Sequence, residues 1–157
     1  MRDDSPIAET TYTAVSHLRL EALSLGIGDE LDHFVGYSSN GDPHFRVVLR
    51  KDPTLLENRL AILAREDDGT FREHSSEFLL PEGYNRIEMA WRAGAGDGEL
   101  LVSINSAPLS GLTGLNNGSS QIDFVRLGAV DGTLASTTGA MEMDEFVSFS
   151  SNRLGTF

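Results

Sequence analysis

The sequence contains no cysteine. This absence excludes disulfide bonds, thiolate metal sites and a cysteine nucleophile. It does not decide the cellular compartment, because exported bacterial domains also lack cysteine in many cases.

Long hydrophobic runs are also absent. No apolar segment approaches the roughly 20 residues that a membrane helix requires. The first six residues, Met1–Pro6, carry no apolar core of the kind found in a signal peptide. We therefore expect either a cytosolic protein or one whose export signal lies on a part of the gene product outside this chain.

Basic residues are scarce. The chain has 12 lysines and arginines against 24 aspartates and glutamates, which gives a formal net charge of −12. A surface of this sign repels phosphate backbones and anionic lipids, so nucleic acid and membrane are poor partners. Cations and neutral ligands such as glycans remain open, although the charge is already explained by solubility.

The apolar residues lack the 3.6-residue spacing of a helix and show the two-residue spacing of a β-strand instead. Apolar residues fall on every second position, and Gly, Asn and Asp separate the runs. Asn40-Gly41 and Asp68-Gly69 are typical hairpin turns. The pattern predicts about nine strands, at 10–20, 31–38, 43–51, 59–66, 70–80, 85–92, 99–105, 122–130 and 141–149. It predicts connections at 21–29, 111–120 and 131–139, the first as a loop or short helical turn. A chain of 157 residues with this pattern is expected to form one all-β sandwich.

Four segments carry a more specific resemblance. They are Asn85–Arg92, Gly98–Asn105, Ile122–Gly128 and Met143–Val147. Together they resemble the concanavalin A-like lectin/glucanase superfamily, and the laminin G-like modules of bacterial surface and secreted proteins in particular. The resemblance implies a single domain over residues 1–157, built as a jelly roll of two antiparallel sheets. It also implies an extracellular or cell-surface location.

The start of the chain departs from that pattern. Such domains begin with an extra strand beside the closing strand, whereas Arg2–Glu9 looks like the connection that follows such a strand. We expect an open sheet edge that another chain, a second copy or an upstream segment covers. The alternative is that the chain packs its own end against this edge.

The closing strand contains an acid cluster, Glu142-Met143-Asp144-Glu145. It resembles the Glu-x-Asp-x-Glu motif of glycoside hydrolases with this fold, which need two carboxylates across the scissile bond. The third acid position is Phe146, and Asp144 and Glu145 would face opposite ways on a regular strand. We therefore expect no catalytic activity.

Metal binding is a second possibility for the same strand. The four histidines are not spaced as zinc or iron ligands; they are His17, His33, His44 and His74. The resemblance implies Ca²⁺ held by an acid on the closing strand, which is Asp144, together with Asp3 or Asp4 if the N-terminus lies beside it. Calcium requires six to eight oxygen ligands, so the alternative is that Asp144 caps a turn or pairs with an arginine.

Aromatic residues supply the remaining candidates. Trp91, the sole tryptophan, shares its register with Ile87 and Met89 and is expected in the core. Tyr37, Phe71 and Tyr84 lie nearer to predicted turns, and we consider them candidate ligand-binding residues.

Two functions follow from these patterns. The first is a non-catalytic structural or adhesive module, whose partner is another protein or a second copy of the chain in a homo-oligomer. The second is a carbohydrate-binding module that uses loop aromatics and polar groups. A glycoside hydrolase comes third, because its acid motif is incomplete.

Overall fold

The structure is a computed structural model that describes residues 1–20, 23–133 and 135–149. These residues form strands and turns without any helix, so none of them belongs to a helix that could span a membrane. The strands are β1 (Arg2–Asp3), β2 (Thr11–Arg19), β3 (Leu23–Ser24), β4 (Glu30–Tyr37), β5 (Pro43–Lys51), β6 (Asn58–Arg65), β7 (Phe71–Glu73), β8 (Phe78–Leu79), β9 (Tyr84–Arg92), β10 (Ala95–Ile104), β11 (Ser110–Asn116), β12 (Phe124–Thr133), β13 (Thr138–Gly139) and β14 (Glu142–Phe149).

Two antiparallel sheets form the sandwich. The larger sheet has the order β1-β12-β4-β5-β6-β7, and β8 also pairs with β6. The smaller sheet has the order β11-β10-β9-β2-β14. Strands β3 and β13 form a separate two-stranded ribbon. The predicted all-β antiparallel sandwich is confirmed.

The alternation of apolar and polar residues explains why these segments are strands. In β5, Phe45, Val47 and Leu49 are buried, whereas Arg46 and Arg50 between them are partly exposed. Successive side chains of a strand point to opposite faces, so one face of each sheet is apolar and meets the other sheet.

Trp91 lies in the core between the sheets, as predicted. Its side chain is 2% exposed, and its ring centroid lies 6.2 Å from that of Phe45. Phe45 in turn meets Phe34 edge-to-face, with ring centroids 5.7 Å apart. Aromatic side chains thus join β9 of the smaller sheet to β4 and β5 of the larger one.

Two predicted elements were wrong. The predicted loop at 111–120 contains β11, which pairs with β10 and buries Leu112 and Leu115 in the core. Its two buried leucines are three residues apart, so the every-second-residue pattern that predicts a strand is absent from this segment. The predicted strand at 70–80 is two short strands, β7 and β8, because the chain bends at Ser75 and Ser76 between them.

The connections also differ in detail. Leu23–Ser24, predicted as part of a loop or helical turn, pairs with Thr138–Gly139 in the small ribbon. The buried carboxylate of Asp29 secures this region, because it accepts hydrogen bonds from the backbone of Ala135 and from the backbone and hydroxyl of Ser136.

The N-terminus occupies the edge of the larger sheet. Arg2–Asp3 forms β1 and pairs with β12, and the Met1 amino group donates to the Leu127 carbonyl at 2.7 Å. Strand β14 pairs with β2 on one side, and no strand within the described residues pairs with its other side. The expected open edge, and the alternative that the chain packs its own end there, both stay predictions. Whether an extra first strand belongs beside it stays a prediction.

His33 is an unusual member of β4. It lies at an irregularity in the pairing of β4 with β5, its side chain is 1% exposed, and neither ring nitrogen has a hydrogen-bond partner among the described residues. Burial lowers the pKa of His33 to about 4, because the charged imidazolium would lose its hydration there.

Replacing Trp91 tests the core. We expect Trp91→Ala to lower the free energy of unfolding by about 3–5 kcal/mol, because it leaves a cavity where an aromatic side chain was buried. Urea unfolding measures the change. Tyr84→Ala, at a site that is 55% exposed, is the matched control and should change stability by roughly 0.5 kcal/mol or less. Equal losses for the two variants would place the indole outside the core.

The acid stability of the protein tests His33. The unfolded chain binds a proton at His33 near pH 6.5, whereas the folded protein does so only near pH 4. The free energy of unfolding should therefore fall as pH drops through this window, by roughly 3 kcal/mol from this group. His33→Leu should remove that part of the pH dependence, and His74→Gln should not. An unchanged acid slope in His33→Leu would contradict the assignment.

Candidate functional site

The outer side of the larger sheet carries a concentration of arginines. Residues directly opposite each other on neighbouring antiparallel strands share a face. The register places on this side the row Arg2, Arg126, Val35, Arg46, Leu63 and Glu73. We call this side of the larger sheet the arginine face; its arginines are Arg2, Arg46, Arg50, Arg59, Arg65 and Arg126. An acidic chain thus presents half of its 12 basic residues on one surface.

A small apolar ridge lies in the middle of this face. Val48, Ala61 and Leu63 are buried and form a cluster separate from the main core. Arg46 and Arg50 flank Val48 on the same side of β5, and the aliphatic stems of arginines can shield such a ridge.

Most of these arginines are neutralised by acids. Arg46 binds Asp32 with both Nε and Nη2, at 2.6–3.1 Å. Arg50 reaches Glu30 at 2.8 Å and also contacts Glu73 and Glu77. These pairs make the centre of the face rigid and polar without leaving a net positive charge there.

Arg126 is the exception. It is exposed and, among the described residues, it is the only arginine without a carboxylate within ion-pair distance. The chain has twice as many acids as bases, so an arginine without an acid partner calls for a reason.

Two aromatic rings lie beside Arg126. Tyr37 and Phe124 are opposite each other on β4 and β12, with ring centroids 5.0 Å apart and an interplanar angle of 14°. The Arg2 guanidinium carbon lies 4.0 Å from the centroid of the Phe124 ring. That of Arg126 lies 5.6 Å from the Tyr37 centroid and 5.8 Å from the Phe124 centroid. We call these four residues the aromatic cluster; both rings are partly exposed.

The Tyr37 hydroxyl lies among charges. Burial is the main reason why the pKa of Tyr37 is raised; the fields of Asp32 and Asp131 add to the rise, while Arg126 and Arg46 oppose it. A shallow cavity of about 240 Å³ also lies on the arginine face, and Asp32, Arg46 and Asp131 line it together with Glu30 and Gly132. The arginine face therefore combines aromatic surface with several hydrogen-bonding groups.

Of the three predicted ligand-binding aromatics, only Tyr37 is in the aromatic cluster. Phe71 also lies on the arginine face, but on β7. This strand is three strands away from β4, which carries Tyr37, or roughly 14 Å at the usual strand spacing. Tyr84 lies on the smaller sheet, where Arg19 covers its ring at 5.1 Å. Sequence reasoning missed Phe124, although it alternates with the buried Val125 and therefore falls on the same side as Arg126.

The predicted calcium residues are each engaged elsewhere. Asp3 lies beside the closing strand as expected, but it accepts hydrogen bonds from Ser148 at 2.7 Å and from Tyr12 at 3.0 Å. Burial raises the pKa of Asp3, but the hydrogen bonds, that from Ser148 first, outweigh this and lower it overall. Asp4 pairs with Arg2, and Asp144 accepts from the Glu145 backbone.

The described residues contain no group of three or more acids or histidines placed to hold a metal ion. A calcium ion at Asp144 would thus need oxygen ligands from further groups. The calcium hypothesis stays a prediction.

The acid cluster of the closing strand is reshaped by a bulge. Glu145 has a φ of 50°, and the pairing of β14 with β2 shifts between Asp144 and Val147. Glu145 consequently contacts His17, the register partner of Asp144, at 3.2 Å. The expectation that Asp144 and Glu145 face opposite ways was wrong, because it assumed a regular strand.

Phe146 points toward the core, with its ring centroid 6.3 Å from that of Phe34. The third acid position of the hydrolase motif is thus occupied by a core aromatic. Glu142 meets Arg19 at 3.4 Å, and Glu145 meets His17, so these two acids take part in surface contacts.

Comparisons with known proteins identify the architecture. No protein-family model matches the chain, and no curated protein matches it in sequence. Among solved structures, a tetrameric galectin from the ball sponge Cinachyrella superposes with a TM-score of 0.55 at 12% identity, covering 95% of this chain and 98% of the galectin. An alginate lyase from Alteromonas gives 0.59 at 8% identity, covering 95% and 77%. A homodimeric agglutinin from chicken liver gives 0.52 at 12% identity, covering 95% and 98%.

Likeness at these identities concerns the fold. The closer resemblance to laminin G-like modules, and the cell-surface location that it implies, stay predictions. The order of the strands in two packed antiparallel sheets and the superposition on a galectin, an alginate lyase and an agglutinin lead to one conclusion: the chain has a concanavalin A-like jelly-roll fold.

Proposed function

We propose that the chain is a non-catalytic carbohydrate-binding module whose ligand lies on the arginine face, over the aromatic cluster. The observation that carries this proposal is the stack of Tyr37 and Phe124, which leaves two partly exposed rings beside Arg126, an arginine that has no acid partner among the described residues. Saccharide rings have apolar faces and polar rims, so they suit a surface with aromatic rings next to hydrogen-bonding groups.

The neighbouring groups support this placement. The Arg46–Asp32 pair and Asp131 stand on the same face and offer donors and acceptors to hydroxyl groups. Their geometry is held by the ladder between β12, β4 and β5, so little conformational entropy would be lost on binding. The structural relatives include a galectin and an agglutinin, names that denote carbohydrate binding in those proteins.

The absence of catalysis is part of the proposal. A glycoside hydrolase requires a carboxylic acid that stays protonated near neutral pH, which means a raised pKa. Among the described residues, the carboxyl groups whose pKa values clearly depart from the ordinary range are all shifted downward, by hydrogen bonds that favour the charged form; they are Asp3, Asp29, Asp52, Asp67 and Asp68. These acids are better suited to fixing loops than to donating protons.

A glycan array followed by titration of the best ligand tests this function. We expect selective binding, with an affinity loss of about tenfold or more in Tyr37→Ala, since the loss of one ring contact and one hydroxyl costs about 1.4 kcal/mol. Tyr84→Ala is the matched control, because it removes an exposed tyrosine that an arginine also covers, but on the smaller sheet. Equal losses in both variants, or an array without selective binding, would contradict the proposal.

A second candidate is self-association through β14, the structural or adhesive alternative. No strand in the described ranges pairs with the outer side of β14. Val147 and Phe149 of this strand are 48% and 42% exposed, opposite Val15 and Thr13 of β2. Apolar side chains next to a free strand edge favour strand addition by another chain.

Sedimentation over a concentration series tests self-association. We expect a dimer whose dissociation constant rises about tenfold or more in Val147→Lys, because a lysine on an edge strand opposes pairing. Thr113→Lys, at the opposite edge of the same sheet, should leave the dissociation constant unchanged. A monomer at all concentrations would exclude this candidate, and the glycan-binding proposal would remain.

A further inference from the structure

The strongest unexplained feature of the molecule is the position of Arg126 beside Arg2. The two arginines are directly opposite each other on β12 and β1, at the edge of the larger sheet. Like charges in directly opposed positions of a sheet repel and lower stability. Arg2 has Asp4 as a partner at 2.7 Å, whereas Arg126 has no carboxylate partner among the described residues. The pair thus carries an uncompensated positive charge on a chain that has acids in excess.

The two rings hold these guanidinium groups in place. Arg2 lies over the face of Phe124, and Arg126 lies within 6 Å of both ring centroids. Guanidinium groups interact favourably with aromatic faces, and a stacked guanidinium keeps its N–H groups in its own plane, free to bind acceptors. Within the described part of the chain, Arg126 donates no hydrogen bond to a protein acceptor. Its donors are therefore available to a ligand.

From these observations we propose that the aromatic cluster binds an acidic saccharide, with its anionic group held by Arg126 and Arg2 and its sugar ring beside Tyr37. This inference rests on the proposed carbohydrate-binding function and adds the chemical class of the ligand. A carboxylate suits the planar fork of a guanidinium, with two parallel N–H···O bonds. A sulfate ester offers the same charge, so the two sources of the anion need separate tests.

The acids around the cluster set limits on this ligand. Asp32 is neutralised by Arg46, and Asp4 by Arg2, but Asp131 is exposed on the same face with no cationic partner among the described residues. The net charge of −12 also repels an anion at a distance. Salt screens that repulsion beyond about 8 Å at physiological ionic strength, whereas contacts within the site are screened less. A short saccharide with few charges should therefore bind better per residue than a long polyanion.

Calorimetric titration with three probes tests the proposal. The probes are a uronic-acid trisaccharide, its methyl ester, and a sulfated trisaccharide of the same length. We expect the acid to bind about tenfold or more tightly than the ester, since each hydrogen bond to a charged group is worth about 1 kcal/mol more than one to a neutral group, and the carboxylate accepts two. Tighter binding of the sulfated probe than of the uronate would support the anion site and assign it to sulfate.

Variants separate this proposal from the more general one. Arg126→Gln should reduce affinity for the acidic probe about tenfold or more, and this loss should exceed the loss of affinity for the ester, because only the acid places a negative charge on the guanidinium. Arg19→Gln is the matched control, because Arg19 also covers a tyrosine ring, but on the smaller sheet. Thermal melts check that each variant is folded.

The outcomes distinguish the two failures. If acid and ester bind equally, or if Arg126→Gln binds the acid as the wild type does while Tyr37→Ala loses it, the anion site is wrong and carbohydrate binding stands. If no saccharide binds to any variant or to the wild type, both the anion site and the proposed function are wrong.

Discussion

The contact between the two sheets, centred on Trp91, Phe45 and Phe34, is the interaction on which the rest of the molecule depends. Because side chains alternate along a strand, burying one set of residues between the sheets forces the other set outward. The arginines of β5 and β6 face outward because Phe45, Val47, Leu60 and Ile62 face inward. The surface that we propose as a binding site is therefore a consequence of core packing.

Charge is distributed unevenly over this framework. The arginine face holds half of the basic residues, and most of them form ion pairs such as Arg46–Asp32 and Arg50–Glu73. Pairs of this kind rigidify the sheet surface more than they stabilise the fold, because their hydration is lost when they form. Among the described residues, Arg126 is the arginine of this face without a carboxylate partner, and it lies against the two partly exposed rings. In the proposed binding mode, this charge orients the ligand by holding its anionic group beside the rings.

The larger and the smaller sheet end in different ways. The larger sheet is closed at one edge by the two-residue strand β1, which also brings Arg2 to the aromatic cluster. The smaller sheet ends at β14, whose outer side is unpaired in the described part of the chain. A ligand on the arginine face and a partner at β14 would occupy different surfaces, so carbohydrate binding and self-association are compatible in one molecule.

Local patterns were sufficient for much of the fold. Alternation located β2, β5 and β9 closely, and the Asn40-Gly41 turn has the positive φ expected of its glycine, 84°. Strand β11 was missed because its buried residues, Leu112 and Leu115, are spaced three apart. The prediction that Asp144 and Glu145 face opposite sides of β14 was wrong, because a bulge cannot be recognised from alternation alone.

The sequence by itself determined the all-β class, the core position of Trp91 and the incomplete acid motif, because each depends on residues close together in the chain. Only the tertiary structure decided which aromatics meet. Tyr37, Phe124 and Arg2 come from three distant segments, and the antiparallel register of β4, β12 and β1 sets them side by side. It also decided that Arg126 has no acid partner among the described residues, since ion pairing depends on distances between strands that are far apart in sequence.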